Sequence, residues 1–170
     1  MITRTRSAKN QALLLPVILF SILLIFGCSS SKTISGASPE QIRQAIRSDR
    51  WVFVAQSAIA QGGRSRQIDT RYDVRFGRDT IQCYLPYFGR SFSGAGAFSS
   101  GSPLDFKSTD ISIEKEELKN GGTRLKVKPR DISSVQFMIF EIFESGSSSL
   151  SVTLTDRSPI SFNGYIEAVK

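Results

Sequence analysis

Hydrophobic and polar residues follow three rhythms along this chain. Residues 12–26 are almost entirely apolar, behind the basic positions Arg4, Arg6 and Lys9. Ile42, Ala45 and Ile46 then fall at helical spacing for two to three turns. After Arg50 the period becomes two and stays so to the end, the mark of β structure. The alternation predicts strands at 51–60, 68–76, 80–88, 104–118 (one long or bent strand), 123–128, 135–144, 150–155 and 158–169. In the second of these, Ile68, Thr70, Tyr72, Val74 and Phe76 alternate with Asp69, Arg71, Asp73 and Arg75, giving one core face and one wet face. Asn120-Gly121-Gly122 reads as a tight hairpin turn. About eight mostly antiparallel strands with short connections predict an all-β domain, either a flattened, lipocalin-like barrel or a two-sheet sandwich.

Before the first strand, Ser38-Pro39-Glu40-Gln41 has the form of a helix start, with Ser38 as N-cap, Pro39 at the first helical position and Gln41 as its reciprocal partner. Such a short helix is unstable alone, so its apolar face is expected to dock on the sheet. The organisation is therefore a leader at 1–27, a Ser/Lys/Thr/Gly-rich tether at 28–37 and one β domain at 38–170, long enough to bury a single core.

The leader ends in Ile25-Phe26-Gly27-Cys28, which resembles the bacterial lipobox, where the cysteine thiol takes a diacylglycerol before the chain is cut. A membrane-spanning helix needs about 20 apolar residues; this run is shorter and contains Pro16. Its length and basic start fit a cleaved secretory segment, and Cys28 is the expected lipid attachment site. Ser29 stands where an inner-membrane retention signal would put Asp, and 29–37 contains no acid. The expected location is the periplasmic leaflet of the outer membrane.

Composition narrows the chemistry. Loss of the leader lowers the 22 basic residues to 19 against 15 acids, a net charge of +4. This favours solubility and contact with anionic partners, and outside the cytoplasm it does not point to nucleic acid. With Cys28 lipidated, Cys83 has no cysteine to pair with, and its place between Ile81 and Leu85 suits a small buried hydrophobe. The chain has no histidine, which excludes Ser-His-Asp and Cys-His mechanisms and removes the commonest zinc ligand. No metal or cofactor motif is present, and the Gly/Ser-rich stretch 91–102 lacks the Lys-Ser/Thr ending of a phosphate loop. A serine–lysine pair or two carboxylates, as in a hydrolase or transferase acting on envelope polymers, is the alternative to a non-enzymatic role.

Two stretches could carry binding. In 135–144 both faces are apolar, Val135, Phe137, Ile139 and Phe143 on one and Met138, Phe140 and Ile142 on the other. The helix could cover the second face, or Met138, Phe140 and Ile142 could line a lumen for an apolar ligand or a partner contact. In Tyr84-Leu85-Pro86-Tyr87-Phe88-Gly89-Arg90, the proline marks an edge or bulge. Phe88 is expected to pack the core, leaving Tyr84, Tyr87 and Arg90 as a candidate ligand or partner surface. The interleaved Arg64, Arg66, Arg71, Arg75 and Arg78 with Asp69, Asp73 and Asp79 read as a solvated, ion-paired face. Glu114, Glu116 and Glu117 read as edge protection.

Phe53-Val54-Ala55, Gly62-Gly63-Arg64-Ser65-Arg66, Leu85-Pro86-Tyr87-Phe88-Gly89-Arg90, Asp105-Phe106 and Arg157-Ser158-Pro159-Ile160-Ser161-Phe162-Asn163-Gly164 together resemble the domain of unknown function 4251 family, mostly lipoproteins of the Bacteroidota. The resemblance covers about 51–169 and implies an all-β envelope protein, with no activity and no catalytic residue to carry over. The expected role is non-enzymatic: a lipid-anchored binding or scaffold domain holding an apolar ligand or an envelope partner.

Overall fold

The computed structural model describes residues 37–92, 101–119 and 121–169. Its first element, α1 (Pro39–Arg47), forms where the capping signal lies: the Gln41 amide donates to Ser38 Oγ at 3.3 Å, and the Ser38 amide donates to Gln41 Oε1 at 2.8 Å. Ile42, Ala45 and Ile46 are buried while Arg43 and Arg47 face solvent. The helix stops at Ser48-Asp49, with Asp49 in the left-handed region that short polar residues tolerate.

Nine strands follow: β1 (Trp51–Ala60), β2 (Ser65–Gly77), β3 (Thr80–Tyr84), β4 (Asp105–Ser108), β5 (Ile111–Glu117), β6 (Thr123–Pro129), β7 (Val135–Ile142), β8 (Ser147–Leu154) and β9 (Ile160–Ala168). They make one sheet in the order β4-β3-β2-β1-β9-β8-β7-β6-β5, with every pair antiparallel. The two strands at the ends of this order are neighbours in the chain, joined only by Thr109 and Asp110, so the sheet curls into a nearly closed barrel. The expected 104–118 strand is thus one bent ribbon whose first half pairs with β3 and whose second half pairs with β6. A two-sheet sandwich is not formed.

Asp131 holds the bend. Its carboxylate accepts from Ser108 Oγ and from the Thr109 amide, the latter at 3.2 Å. Alongside, the Arg130 amide donates to the Asp110 carbonyl at 2.8 Å. The Ser108 hydroxyl and the Thr109 amide hold the Asp131 carboxyl below its ordinary range, against the opposing effect of partial desolvation.

Inward side chains fill the barrel. Trp51 stacks on Phe76 with centroids 4.6 Å apart and meets Phe140 edge-on at 5.1 Å; Phe53 also meets Phe140, at 6.0 Å. Ile42, Ala45 and Ile46 belong to the same core. The helix sits at the end of the barrel where β1 begins and β5, β7 and β9 run out, packing on β9. Lys115 Nζ donates to the Ile46 carbonyl at 3.2 Å and to Asp49 Oδ1 at 2.6 Å, and Arg43 lies 3.4 Å from Glu144. A cation at the helix C-terminus satisfies its free carbonyls and complements the dipole.

The helix therefore plugs the barrel end and does not cover the outer face of β7. That outer face carries Phe137 and Ile139, half-buried, with Lys126 Nζ 5.9 Å from the Phe137 ring. Long basic stems lying over apolar rings explain the burial without a second layer. Val135 turns inward because the register of β7 against β8 shifts between Val135 and Phe137.

Phe140→Ala is expected to destabilise the barrel by about 3–5 kcal/mol in a urea titration, because the ring touches two other aromatic rings in a filled core. A carboxyl whose folded pKa is depressed contributes stability above its unfolded pKa and loses it as pH falls through the folded value. Urea midpoints of the native chain should accordingly drop more steeply below about pH 4 than those of Asp131→Asn; parallel curves would contradict the role given to Asp131.

Candidate binding site at the open end of the barrel

At the end opposite α1, three separate chain segments meet. The β1–β2 hairpin turns through Gly62 and Gly63, both at positive φ, with the Gly63 amide donating to the Ala60 carbonyl at 3.1 Å. Pro86 lacks an amide hydrogen for the ladder, so β3 ends at Tyr84 and not at 88. Leu85 remains buried, tied by its amide to the Leu104 carbonyl at 3.0 Å and by its carbonyl to Ser102 Oγ at 2.7 Å. The chain then folds back so that Tyr87 Oη donates to the Ser158 carbonyl at 2.8 Å and lies 3.1 Å from Ser158 Oγ.

Ser158 is the centre of this corner. Its Oγ accepts from the Arg90 amide at 2.9 Å, and its own amide donates to the Arg90 carbonyl at 2.9 Å. Gly89 is required here, since a Cβ would collide with the Tyr87 hydroxyl and Ser158 Oγ. Away from this corner, Gly164 of β9 faces a similar limit from the Val54 carbonyl, where β1 bulges between Ala55 and Ser57. Tyr87 is therefore a structural latch: its ring packs against the core and its hydroxyl finds partners inside.

The latch leaves other groups facing out. Phe88 is 39% exposed, and the Arg66 guanidinium lies 5.1 Å from its ring centroid. A cleft of about 470 Å³ opens between the hairpin and the turn, lined by Ala60, Gln61, Gly62, Phe88, Gly89, Arg90 and Ser158. It contains no carboxylate. None of the ion pairs among the described residues involves Arg64, Arg66 or Arg90.

The residues expected to form a surface separate. Met138, Phe140 and Ile142 are 0%, 0% and 1% exposed and belong to the packed interior, where Trp51 and Phe53 fill the space beside Phe140. They line no surface. Tyr84 is exposed on β3, its ring 5.1 Å from that of Tyr72. Arg90 is exposed and lies in the cleft. The expected roles of Tyr87 and Phe88 are reversed, because a phenol can satisfy its hydroxyl inside the corner while Phe88 is met by a surface arginine. Ser158, Gln61 and Arg66 were not among the expected site residues, although two of them lie in the segments that carry the family resemblance. Cys28 lies outside the described residues. Cys83 is buried, and burial pushes its thiol pKa well up, as for an inert core residue.

The acids do not build a catalytic pair from the expected set. Glu114 and Glu116 share a face of β5, but Lys126 lies 3.2 Å from Glu114 and Arg124 lies 3.2 Å from Glu116. Asp110 is 3.2 Å from Arg130, and Asp105 is exposed on β4. On the far wall, Arg71 reaches across β1 to hold both carboxylate oxygens of Glu167, at 3.3 and 2.7 Å, and lowers its pKa.

The family model described as a domain of unknown function, DUF4251, matches residues 35–166. The chain belongs to this family. A solved structure, a DUF4251 family protein from Bacteroides eggerthii, is similar in fold: the TM-score is 0.56 at 11% identity, over 82% of this chain and 91% of that one. No match was found among curated proteins. The DUF4251 match begins ahead of α1 and runs into β9, so it includes both the helix plug and the Tyr87–Ser158 latch.

Tyr87→Phe should cost about 1–3 kcal/mol in stability, since it strands buried partners of the lost hydroxyl. Phe88→Ala should cost under about 1 kcal/mol, as expected for a surface change. Thermal melts giving the opposite order would overturn this assignment.

Proposed function

We propose that this DUF4251 protein is a non-enzymatic, lipid-anchored binding or scaffold protein of the cell envelope, tethered through Cys28 to the periplasmic leaflet of the outer membrane. The observation that carries the binding role is the convergence of 61–66, 86–90 and 157–158 at one end of a filled barrel, leaving Phe88 and Arg90 outward. A lumenal apolar ligand is not part of this reading, because Met138, Phe140 and Ile142 are packed inside the core. The partner is met at the barrel end.

The anchor is supported by the basic start, apolar run and Gly27-Cys28 ending of the leader. No helix among the described residues is long and apolar enough to cross a membrane. Several acyl chains at about 0.8 kcal/mol per buried methylene make a durable attachment.

Two measurements test these parts separately. Cys28→Ser should abolish incorporation of labelled palmitate and release the protein from membranes while leaving its thermal melt unchanged; lipid incorporation by the variant would defeat the anchor. A photo-crosslinking residue at position 88, installed in cells, should give a discrete adduct that the same residue at Ser151 on β8 does not. Equal labelling from both positions, or none from 88, would remove the barrel end as the binding surface.

A further inference from the structure

We propose that the cleft between the β1–β2 hairpin and the 86–90 turn binds an anionic sugar, a pyranose ring bearing a carboxylate or a phosphate; this rests on the reading of that barrel end as the interaction surface. The cleft, at about 470 Å³, falls within the range of about 300–1,000 Å³ usual for small-molecule sites. Its charge is of one sign. Arg90 lines it, Arg66 is held beside it by its contact with Phe88, and Arg64 lies in the adjoining hairpin. Several guanidinium groups on the barrel wall are matched to acids, Arg71 to Glu167, Arg124 to Glu141 and Arg130 to Asp110, whereas Arg50 and Arg78 stand singly away from this cleft. At this end Arg157 is paired with Asp156, while Arg64, Arg66 and Arg90 enter none of the ion pairs among the described residues; a guanidinium fork fits a carboxylate or phosphate in two-point contact.

The remaining lining groups suit a sugar body. Phe88 supplies an exposed apolar ring for the C–H face of a pyranose, and the Gln61 amide can donate to and accept from ring hydroxyls. A Cβ added at Gly62 would meet nothing within 4 Å, so the backbone on that rim is open to close approach. Ser158 Oγ and the Tyr87 hydroxyl are occupied by each other and by the Arg90 backbone, so Ser158 lines the cleft as part of the latch that fixes its shape.

The test is calorimetric titration of the full chain in nonionic detergent with N-acetylmuramic acid, glucosamine 6-phosphate, neutral N-acetylglucosamine, inorganic phosphate and glycerol 3-phosphate. One or both anionic sugars should bind saturably, with the neutral sugar and the two ring-free phosphates weaker by about tenfold or more, and with affinity falling as salt rises. Which anionic sugar binds separates a carboxylated glycan source from a phosphorylated one. Arg90→Gln and Phe88→Ala should each weaken binding about tenfold, whereas Arg78→Gln on the β2–β3 turn should not. Equal binding of the neutral sugar, equal binding of glycerol 3-phosphate or inorganic phosphate, or indifference to both substitutions would overturn the assignment. If crosslinking from position 88 persists while no anionic sugar binds, the ligand class falls and the surface stands; if neither occurs, both fall.

Discussion

Closure of the sheet through a single bent strand is the constraint on which the rest of this structure depends. A nine-stranded open sheet would present two rows of unpaired backbone groups, a standing risk of edge-to-edge association. Here the two terminal strands are consecutive pieces of chain, so the same ribbon satisfies β3 with its first half and β6 with its second. The turn between the halves is two residues long and needs an external hold, which Asp131 provides from the β6–β7 connection. Once closed, the sheet has one inside, and the inward residues of every strand must share it. That is why Trp51, Phe53, Phe76 and Phe140 meet as one aromatic cluster and do not line separate layers.

A filled barrel still has two ends, and the chain treats them differently. At one end α1 supplies Ile42, Ala45 and Ile46 to the core, and the exposed Lys115 of β5 reaches the helix C-terminus and Asp49. At the other end no helix is available. There a tyrosine hydroxyl, a serine and two mutually bonded backbone groups close the corner, and the small residue Gly89 permits the approach. A plug made of apolar side chains presents little new chemistry outward. A latch made of hydrogen bonds lifts Phe88 and Arg90 out of the wall.

Much of the fold was legible in the order of residue types. Ser38-Pro39 with Gln41 marks the helix because capping chemistry is local, and the strict alternation of 68–76 marks β2 because one of its faces is wet. The stretch 104–118 read as one strand, long or bent, and its pairing with β3 and then β6 decides for the bend. What could not be read depended on partners distant in sequence. The shift in β7 that turns Val135 inward is set by pairing with β8. The exchange of roles between Tyr87 and Phe88 depends on Ser158, 71 residues away. Hydrophobicity ranks phenylalanine as the better core residue, but a buried corner rich in backbone donors and acceptors favours the aromatic that can hydrogen-bond. For the same reason Met138, Phe140 and Ile142 resembled a candidate lumen: alternation shows that they share a face, and only the closed sheet shows that Trp51 and Phe53 already occupy it.

The charge pattern carries the functional argument one step further. Along the barrel wall, bases and acids neutralise each other across adjacent strands, as with Lys126 and Glu114 or Arg124 and Glu141, or over one intervening strand, as with Arg71 and Glu167. Exposed pairs of this kind add little stability, typically about 0–1 kcal/mol each. Their effect is to offset part of the positive charge along the wall. Arg66 and Arg90, with Arg64 in the same hairpin, enter none of the ion pairs among the described residues and are grouped at one barrel end, where Arg66 lies over the exposed Phe88 ring. Stability does not require it, since the latch beneath uses only the Arg90 backbone and not its guanidinium. Side chains that the latch does not need, gathered at the barrel end that the latch shapes, are the residues free to serve recognition.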